Sequence, residues 1–242
     1  VHVARIEVGA ALARMPAAFR LEGHASLADI APVLDNFSIA TLPPADIALD
    51  LTRLDHPGTL ALTTRLDRRS IALGLHAHEG ADGFVATLGQ IPALAPLDLS
   101  LSLDGLRDDV RLALALATGA VQASAKGQVG LVSHHLALDV AATSPVMVLD
   151  GTTGWQGARL AAHMGGTLER PTGNGTLDVD RLTSNGAGFG ALHLVADGLS
   201  GQGAGQTEHA AIHATITGQL VPGSKPTLFA ADPVNMDELW HP

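Results

Sequence analysis

The 242-residue sequence contains no cysteine and no tyrosine, and it has only two Trp and five Phe. The lack of cysteine excludes disulfides, thiolate metal sites and a cysteine nucleophile. Basic residues are also scarce, with 14 Lys and Arg against 24 Asp and Glu, which gives a formal net charge of −10. A chain with no basic stripe is a poor candidate for binding nucleic acid or the headgroups of an anionic membrane.

Apolar residues are nevertheless abundant, at 46% of the chain, and most of them are Leu, Ala and Val. A packed β-sandwich usually places aromatic side chains in its core, because each of them buries a large area. An aliphatic surface without such anchors suits a lining that accepts fluid and variable contents. The chain has no signal peptide and opens on Val1 without an initiator Met, so we expect a mature segment or a piece of a longer protein.

Apolar and polar residues alternate along most of the chain, which places every second side chain on one face of a strand. The clearest example is Leu97, Leu99, Leu101 and Leu103, which alternate with Asp and Ser. Turn signals such as His56-Pro57-Gly58 and Asp104-Gly105 separate such runs at intervals of about 10 to 13 residues. The pattern predicts an all-β meander of about twelve to fourteen short strands.

A sheet of this size cannot leave its leucine-rich face in water, because soluble proteins tolerate bare apolar patches of only a few hundred Å². A second sheet, closure of the sheet on itself, or curling into a half-pipe filled by an apolar ligand would each cover it. We expect an elongated half-pipe, or β-taco, with a hydrophobic groove. One short helix is expected near residues 26–37, capped by Ser26. We expect a single repetitive unit over residues 1–242, with a possible subdivision near residue 142 where glycine becomes dense.

Part of the sequence is similar to a known family. The run G-T-L-x-R-P-x-G-x-G-x-L, from Gly166 to Leu177, resembles repeats of the translocation and assembly module inner-membrane subunits (TamB) and of the wider AsmA-like superfamily. The leucine-alternating strands from Ala45 onward are similar in style, so the resemblance covers about two thirds of the chain. The family's membrane anchor and C-terminal domain are not in this sequence, and the likeness is to an internal segment.

The resemblance implies a periplasmic protein of Gram-negative bacteria that passes phospholipid along a hydrophobic β-groove toward the outer membrane. It also implies a parent protein anchored in the inner membrane. A partner barrel in the outer membrane would be reached through parts of the parent chain outside this sequence, in support of outer-membrane biogenesis and protein assembly. We therefore expect a non-enzymatic lipid conduit without a cofactor.

The predicted lining of the groove consists of aliphatic residues that share one face of successive strands. They are Leu49, Leu51, Leu60, Leu62, Ile71, Leu73, Leu75, Leu99, Leu101, Leu112, Leu114, Leu116, Leu136 and Leu138. A leucine stripe at period two is more commonly the sealed core of a sandwich or solenoid. A structural or adhesive module of a secreted surface protein is therefore the alternative.

Motifs that carry chemistry are sparse. His76 and His78 have the spacing that some zinc sites use, but their phase is opposite to that of Leu73 and Leu75, so we expect them on the solvent face. The run Gly186-x-Gly188-x-Gly190 lacks the strand-to-helix setting that a dinucleotide site needs. No catalytic or metal-binding residue is predicted.

Overall fold

A computed structural model describes residues 1–8, 17–27, 44–81, 83, 94–148, 153–167, 170–184, 187–200 and 211–221. Its strands form one antiparallel sheet of 13 strands whose order in space is their order in the chain. The strands are β1 (His2–Val8), β2 (Ala17–Leu27), β3 (Ala45–Arg53), β4 (Gly58–Leu66), β5 (Ser70–Glu79), β6 (Leu97–Leu106), β7 (Asp109–Thr118), β8 (Val121–Val129), β9 (Leu136–Val148), β10 (Thr153–Gly166), β11 (Pro171–Ser184), β12 (Ala187–Ser200) and β13 (Ala211–Leu220).

The sheet is open, with β1 and β13 as its two edges. This confirms the predicted all-β meander of half-pipe type, and the number of strands lies within the expected range. The strands are not all short, since β10, β11 and β12 have 14 residues each. The sheet continues without a break through residue 142, which lies within β9.

The alternation in the sequence becomes two chemically different faces. In β6, Leu99, Leu101 and Leu103 are half-buried, whereas Asp98 and Ser102 on the opposite face are exposed. Tight turns keep the apolar side chains of successive strands on the same face. Between β7 and β8, Thr118 pairs with Val121 across a two-residue turn. Gly119 has φ +55 there, which suits a hairpin turn whose twist matches that of the strands.

The first two residues of the segment near residues 26–37, where a helix is expected, lie in a strand. Ser26 and Leu27 are the last residues of β2, where Ser26 is the register partner of Asp46 in β3. Residues 28–37 lie outside the described residues. The pairing with β3 continues to the last residue of β2, so Ser26 belongs to a ladder of backbone hydrogen bonds and does not cap a helix.

The most buried apolar residues lie at the ends of the strands, along the two long borders of the sheet. Val110 at the start of β7 is 0% exposed, Ile71 near the start of β5 is 6% exposed and Leu136 at the start of β9 is 5% exposed. We call this border the Val110 rim. The opposite border contains buried Arg53 at the end of β3 and buried Ala17 and Ala18 at the start of β2. We call it the Arg53 rim.

Hydrogen bonds between neighbouring turns hold the Val110 rim together. The Arg107 amide donates to the Arg69 carbonyl at 2.8 Å, and the Leu131 amide donates to the Arg107 carbonyl at 2.7 Å. The Arg107 guanidinium also donates to the Asp67 carbonyl at 2.7 Å. These bonds join three successive turns over the strand ends, so the rim is shielded from water while the middle of the sheet is not.

A line of irregularity, which we call the crease, crosses the long strands. Pairing in one register is interrupted at Pro145 of β9, Gly157 of β10, Asp180 of β11 and Ala191 of β12. Gly157 and Ala191 have positive φ values of +62 and +49. The strands keep the same partners on both sides of the crease, for example Val146 with Gln156 and Ser144 with Ala158. The irregularity is therefore shared by neighbouring strands and does not shift one strand against another.

Candidate functional site

The predicted lining residues all lie on one face of the sheet, which we call the leucine face. Register pairing connects Leu49 to Leu62, Leu62 to Leu75, Leu75 to Leu101 and Leu101 to Leu114, in five neighbouring strands. Directly paired residues of an antiparallel ladder project to the same side. These leucines therefore form one straight row across the sheet.

The remaining lining residues flank that row within the same register. The flanking pairs are Leu51 with Leu60, Leu99 with Leu116 and Leu66 with Ile71, and the neighbouring row contains Leu73, Leu112 and Leu138. All of the predicted lining residues are half-buried except Ile71 and Leu136, which are buried at the Val110 rim. The face is therefore continuous, with its most open part in the middle.

The leucine face carries side chains beyond the predicted set. Leu103 lies between Leu73 and Leu112 in the same row, and Ile47 and Leu66 are half-buried on this face as well. The alternation in the sequence already places each of them two or four residues from a predicted lining residue of the same strand and so on the same face.

No second layer of described residues covers either face of the sheet. Extensive contacts between described strands occur only between neighbours in the sheet. A sealed core would instead bury the central leucines as fully as Val110. Within the described residues, the leucine face is an open apolar surface.

The opposite face carries small and polar side chains, and three hollows of the described residues lie over it. The largest of these three has a volume of about 640 Å³ and is lined by residues such as Ser124, Lys126 and Asp139. Another, of about 610 Å³, is lined by residues such as His76 and Ser100. Small Ala and Ser side chains, together with glycine residues, leave depressions here that leucines would fill. The described hollows are thus on the opposite face from the predicted lining.

Histidine and aspartate side chains pair across neighbouring strands on this opposite face. His78 is 2.6 Å from Asp98, His163 is 2.9 Å from Asp139 and His193 is 2.6 Å from Asp178. These pairs are exposed, and exposed pairs contribute little to stability. His76 and His78 both lie on this face, exposed, as their phase predicts. Among the described residues, no three His, Asp or Glu side chains come together as a metal site.

The carboxyl groups whose pKa values are shifted lie away from the leucine face. The hydrogen bond from Arg53, whose side chain is 2% exposed, lowers the pKa of Asp55 to about 2 at the Arg53 rim. A hydrogen bond from Arg65 lowers the pKa of Asp46, and one from Ser133 lowers the pKa of Asp108. Each shift favours a charged carboxylate that is already paired, which is the signature of structural contacts and not of a general acid.

Comparison with known protein families, with curated protein sequences and with solved structures finds no significant match. The described residues include no helix with the length and hydrophobicity that crossing a bilayer requires.

Proposed function

We propose that the leucine face binds the acyl chains of phospholipids and that the chain is a non-enzymatic lipid carrier. The observation that carries the proposal is the row Leu49, Leu62, Leu75, Leu101 and Leu114, which is in register, half-buried and uncovered by described residues. A surface with this chemistry needs an apolar partner in water.

The size of the face favours a hydrocarbon chain. Seven strands, β3 to β9, span about 30 Å at about 4.8 Å per strand, and a ten-residue strand is about 33 Å long at about 3.3 Å per residue. An acyl chain is about 15 Å long, half of a hydrocarbon core of about 30 Å. The open middle of the face can therefore accept several chains side by side.

The composition of the face favours a flexible and uncharged occupant. The predicted lining contains only Leu and Ile, with no aromatic or ionisable side chain. Burial of apolar area stabilises such contacts by about 25 cal/mol per Å² without fixing an orientation. A uniform aliphatic wall lets a chain shift along it, which is what transport requires.

The resemblance to TamB and AsmA-like repeats extends the proposal to a cellular role. An apolar sheet face of this type would work in the periplasm, as a segment of a bridge between the inner and outer membranes that supports outer-membrane biogenesis and protein assembly. Partners of the parent protein, including an outer-membrane barrel, would bind through other parts of that protein.

Site-specific photo-crosslinking tests the proposal directly. A photoreactive amino acid replaces Leu101 or Leu114 on the leucine face and, as matched controls, Ser102 or Ala115 on the opposite face of the same strands. The protein is then incubated with phosphatidylethanolamine and phosphatidylglycerol vesicles, irradiated and analysed by mass spectrometry. We expect phospholipid adducts from Leu101 and Leu114 at least about tenfold above the controls, since only the leucine face excludes water from an acyl chain.

A charge substitution separates this proposal from a sealed structural module. Leu114→Glu should abolish phospholipid retention while the far-ultraviolet circular dichroism spectrum stays unchanged, and Ala115→Glu should change neither. If Leu114→Glu unfolds the protein, or if crosslinks form only to protein, the structural or adhesive alternative is correct and the carrier proposal is wrong.

A further inference from the structure

The buried apolar side chains change from even to odd sequence positions at the crease in β9. In β9 the half-buried residues Val140 and Ala142 are followed by Ser144, all at even positions, whereas beyond the crease Met147 is buried and Val146 and Val148 are exposed. Pro145 and Val146 are consecutive and both exposed. Each strand has one unpaired position at the crease, such as Pro145 in β9 and Gly157 in β10, and the register of the strands is the same on both sides. The apolar side chains shift by one residue in every strand, which keeps them on the leucine face.

The neighbouring strands show the same one-residue shift of their apolar side chains. Beyond the crease these side chains form a separate row across the sheet. Register pairing connects Met147 to Trp155, Trp155 to Leu182 and Leu182 to Phe189. Met147 is 4% exposed and the other three are half-buried. This row, which we call the aromatic row, brings Trp155 and Phe189 to one end of a face that is otherwise aliphatic.

Two polar atoms at the crease are buried without a partner among the described residues. They are Oγ of Ser144, a residue that is 5% exposed, and Nε1 of Trp155. The two residues lie on adjacent strands, three positions apart in register, or about 10 Å along the strands at about 3.3 Å per residue. Buried donors without a partner are rare in folded proteins, because they lose their hydrogen bonds to water.

We propose that the crease is a polar subsite of the lipid-binding face, where an ester oxygen of a bound glycerolipid accepts a hydrogen bond from Trp155 Nε1. This inference depends on the proposed lipid-carrier function and locates the polar end of the lipid within it. The indole N–H can only donate, so its partner must be an acceptor. Ser144 Oγ can donate to a second oxygen of the same ligand.

The surroundings select an uncharged acceptor. The described residues of this face near the crease are aliphatic, aromatic or small, including Ala158, Leu160, Val179 and Leu192, and none of them is Lys or Arg. An ionised phosphate buried here would lack a countercharge, and burying an unpaired charge is strongly unfavourable. An ester carbonyl needs only a hydrogen-bond donor. The acyl chain then continues over the row that contains Leu160, Leu177 and Leu194.

Ester-linked and ether-linked lipids test this subsite. The two probes are a diacyl phosphatidylcholine and a dialkyl phosphatidylcholine with the same chain length, so they differ in the carbonyl acceptors. Affinity is measured by competition against a fluorescent phospholipid. We expect the wild-type chain to prefer the ester lipid by roughly threefold to tenfold, which is the effect of one net hydrogen bond. Trp155→Phe, which keeps an aromatic ring and removes the N–H, should abolish that preference.

The controls separate this inference from the broader function. Phe189→Leu, in the same aromatic row but without a polar atom, should keep the ester preference. Ser144→Ala provides a second variant in case Trp155→Phe does not fold, and it should reduce the preference in the same direction. If lipid crosslinks to Leu114 but the ester preference is missing, or persists in Trp155→Phe, the subsite is wrong and the carrier function stands. If neither lipid binds, both are wrong.

Discussion

The rims and the middle of the leucine face carry the same kind of side chain but differ in what covers it. At the Val110 rim, Val110 and Ile71 are 0% and 6% exposed because the hydrogen-bonded turns lie over the strand ends. In the middle, Leu101 and Leu114 are half-buried, and among the described strands only the neighbours in the sheet make extensive contacts with β6 and β7. One apolar face therefore contains a core along its border and a surface in its centre.

The two regions consequently differ in how much they contribute to stability. Stability resides mainly where apolar side chains are removed from water, so the rims contribute more to the free energy of unfolding per residue than the centre does. The centre retains apolar area that no described strand covers. In a sealed core the distinction would disappear, since the central residues would be the most buried ones.

Introducing a charge into each region gives the largest expected difference. Val110→Asp places a carboxylate at a fully buried position and should destabilise the fold by about 4 kcal/mol or more, enough to unfold it at room temperature. Leu114→Asp, four residues along the same strand β7, should leave the sheet folded because its side chain can reach water. Circular dichroism and urea unfolding of both variants provide the measurement. Equal destabilisation by the two variants would mean that the centre is also covered.

Truncation to alanine should show the same contrast with a smaller amplitude. Ile71→Ala at the Val110 rim removes buried methylene groups and should cost about 3 kcal/mol, as is typical of core truncations. Leu101→Ala in the central row should cost about 1 kcal/mol, since part of its surface is already solvated. Urea midpoints at a constant m-value provide both numbers. Saturation with phospholipid should raise the stability of the wild-type chain and should do so less for Leu101→Ala.

The sequence was sufficient to predict the meander and the leucine face because period-two alternation is a local signal. Each of the runs around Leu49, Leu75, Leu101 and Leu114 indicates its own face, and tight turns such as the one at Gly119 keep neighbouring strands in register. The row of leucines across the sheet then follows from geometry alone. The prediction that Ser26 caps a helix was wrong, since pairing with β3 overrode the local preference of Ser26 and Leu27. The rest of the predicted helix, residues 28–37, lies outside the described residues.

The crease and the aromatic row could not be predicted in this way. The irregular position inverts the alternation within each strand, so Met147 and Trp155 are out of phase with Val140 and Ala162 in the sequence. The available signals were Pro145 and Gly157, because proline and an isolated glycine within a strand both suggest an irregular position. That the irregular positions of several strands fall on one line depends on long-range register, which is not a property of any single segment.

The smallest expected effect concerns the ion pair at the Arg53 rim. The Arg53 guanidinium lowers the pKa of Asp55 to about 2, and the two side chains are joined by hydrogen bonds of 3.1 Å. Because the folded-state pKa lies below the unfolded value of 3.8, the pair stabilises the fold above about pH 4 and loses that contribution as the pH falls from about 4 to about 2.

Asp55→Asn should cost about 1 kcal/mol at pH 7, a figure reduced by the partial exposure of the carboxylate. The variant should also show a shallower loss of stability between pH 4 and pH 2, whereas Asp98→Asn in an exposed pair should cost much less at pH 7. Urea unfolding at several pH values distinguishes the two, and an identical acid slope in Asp55→Asn and wild type would show that the rim does not depend on this ion pair.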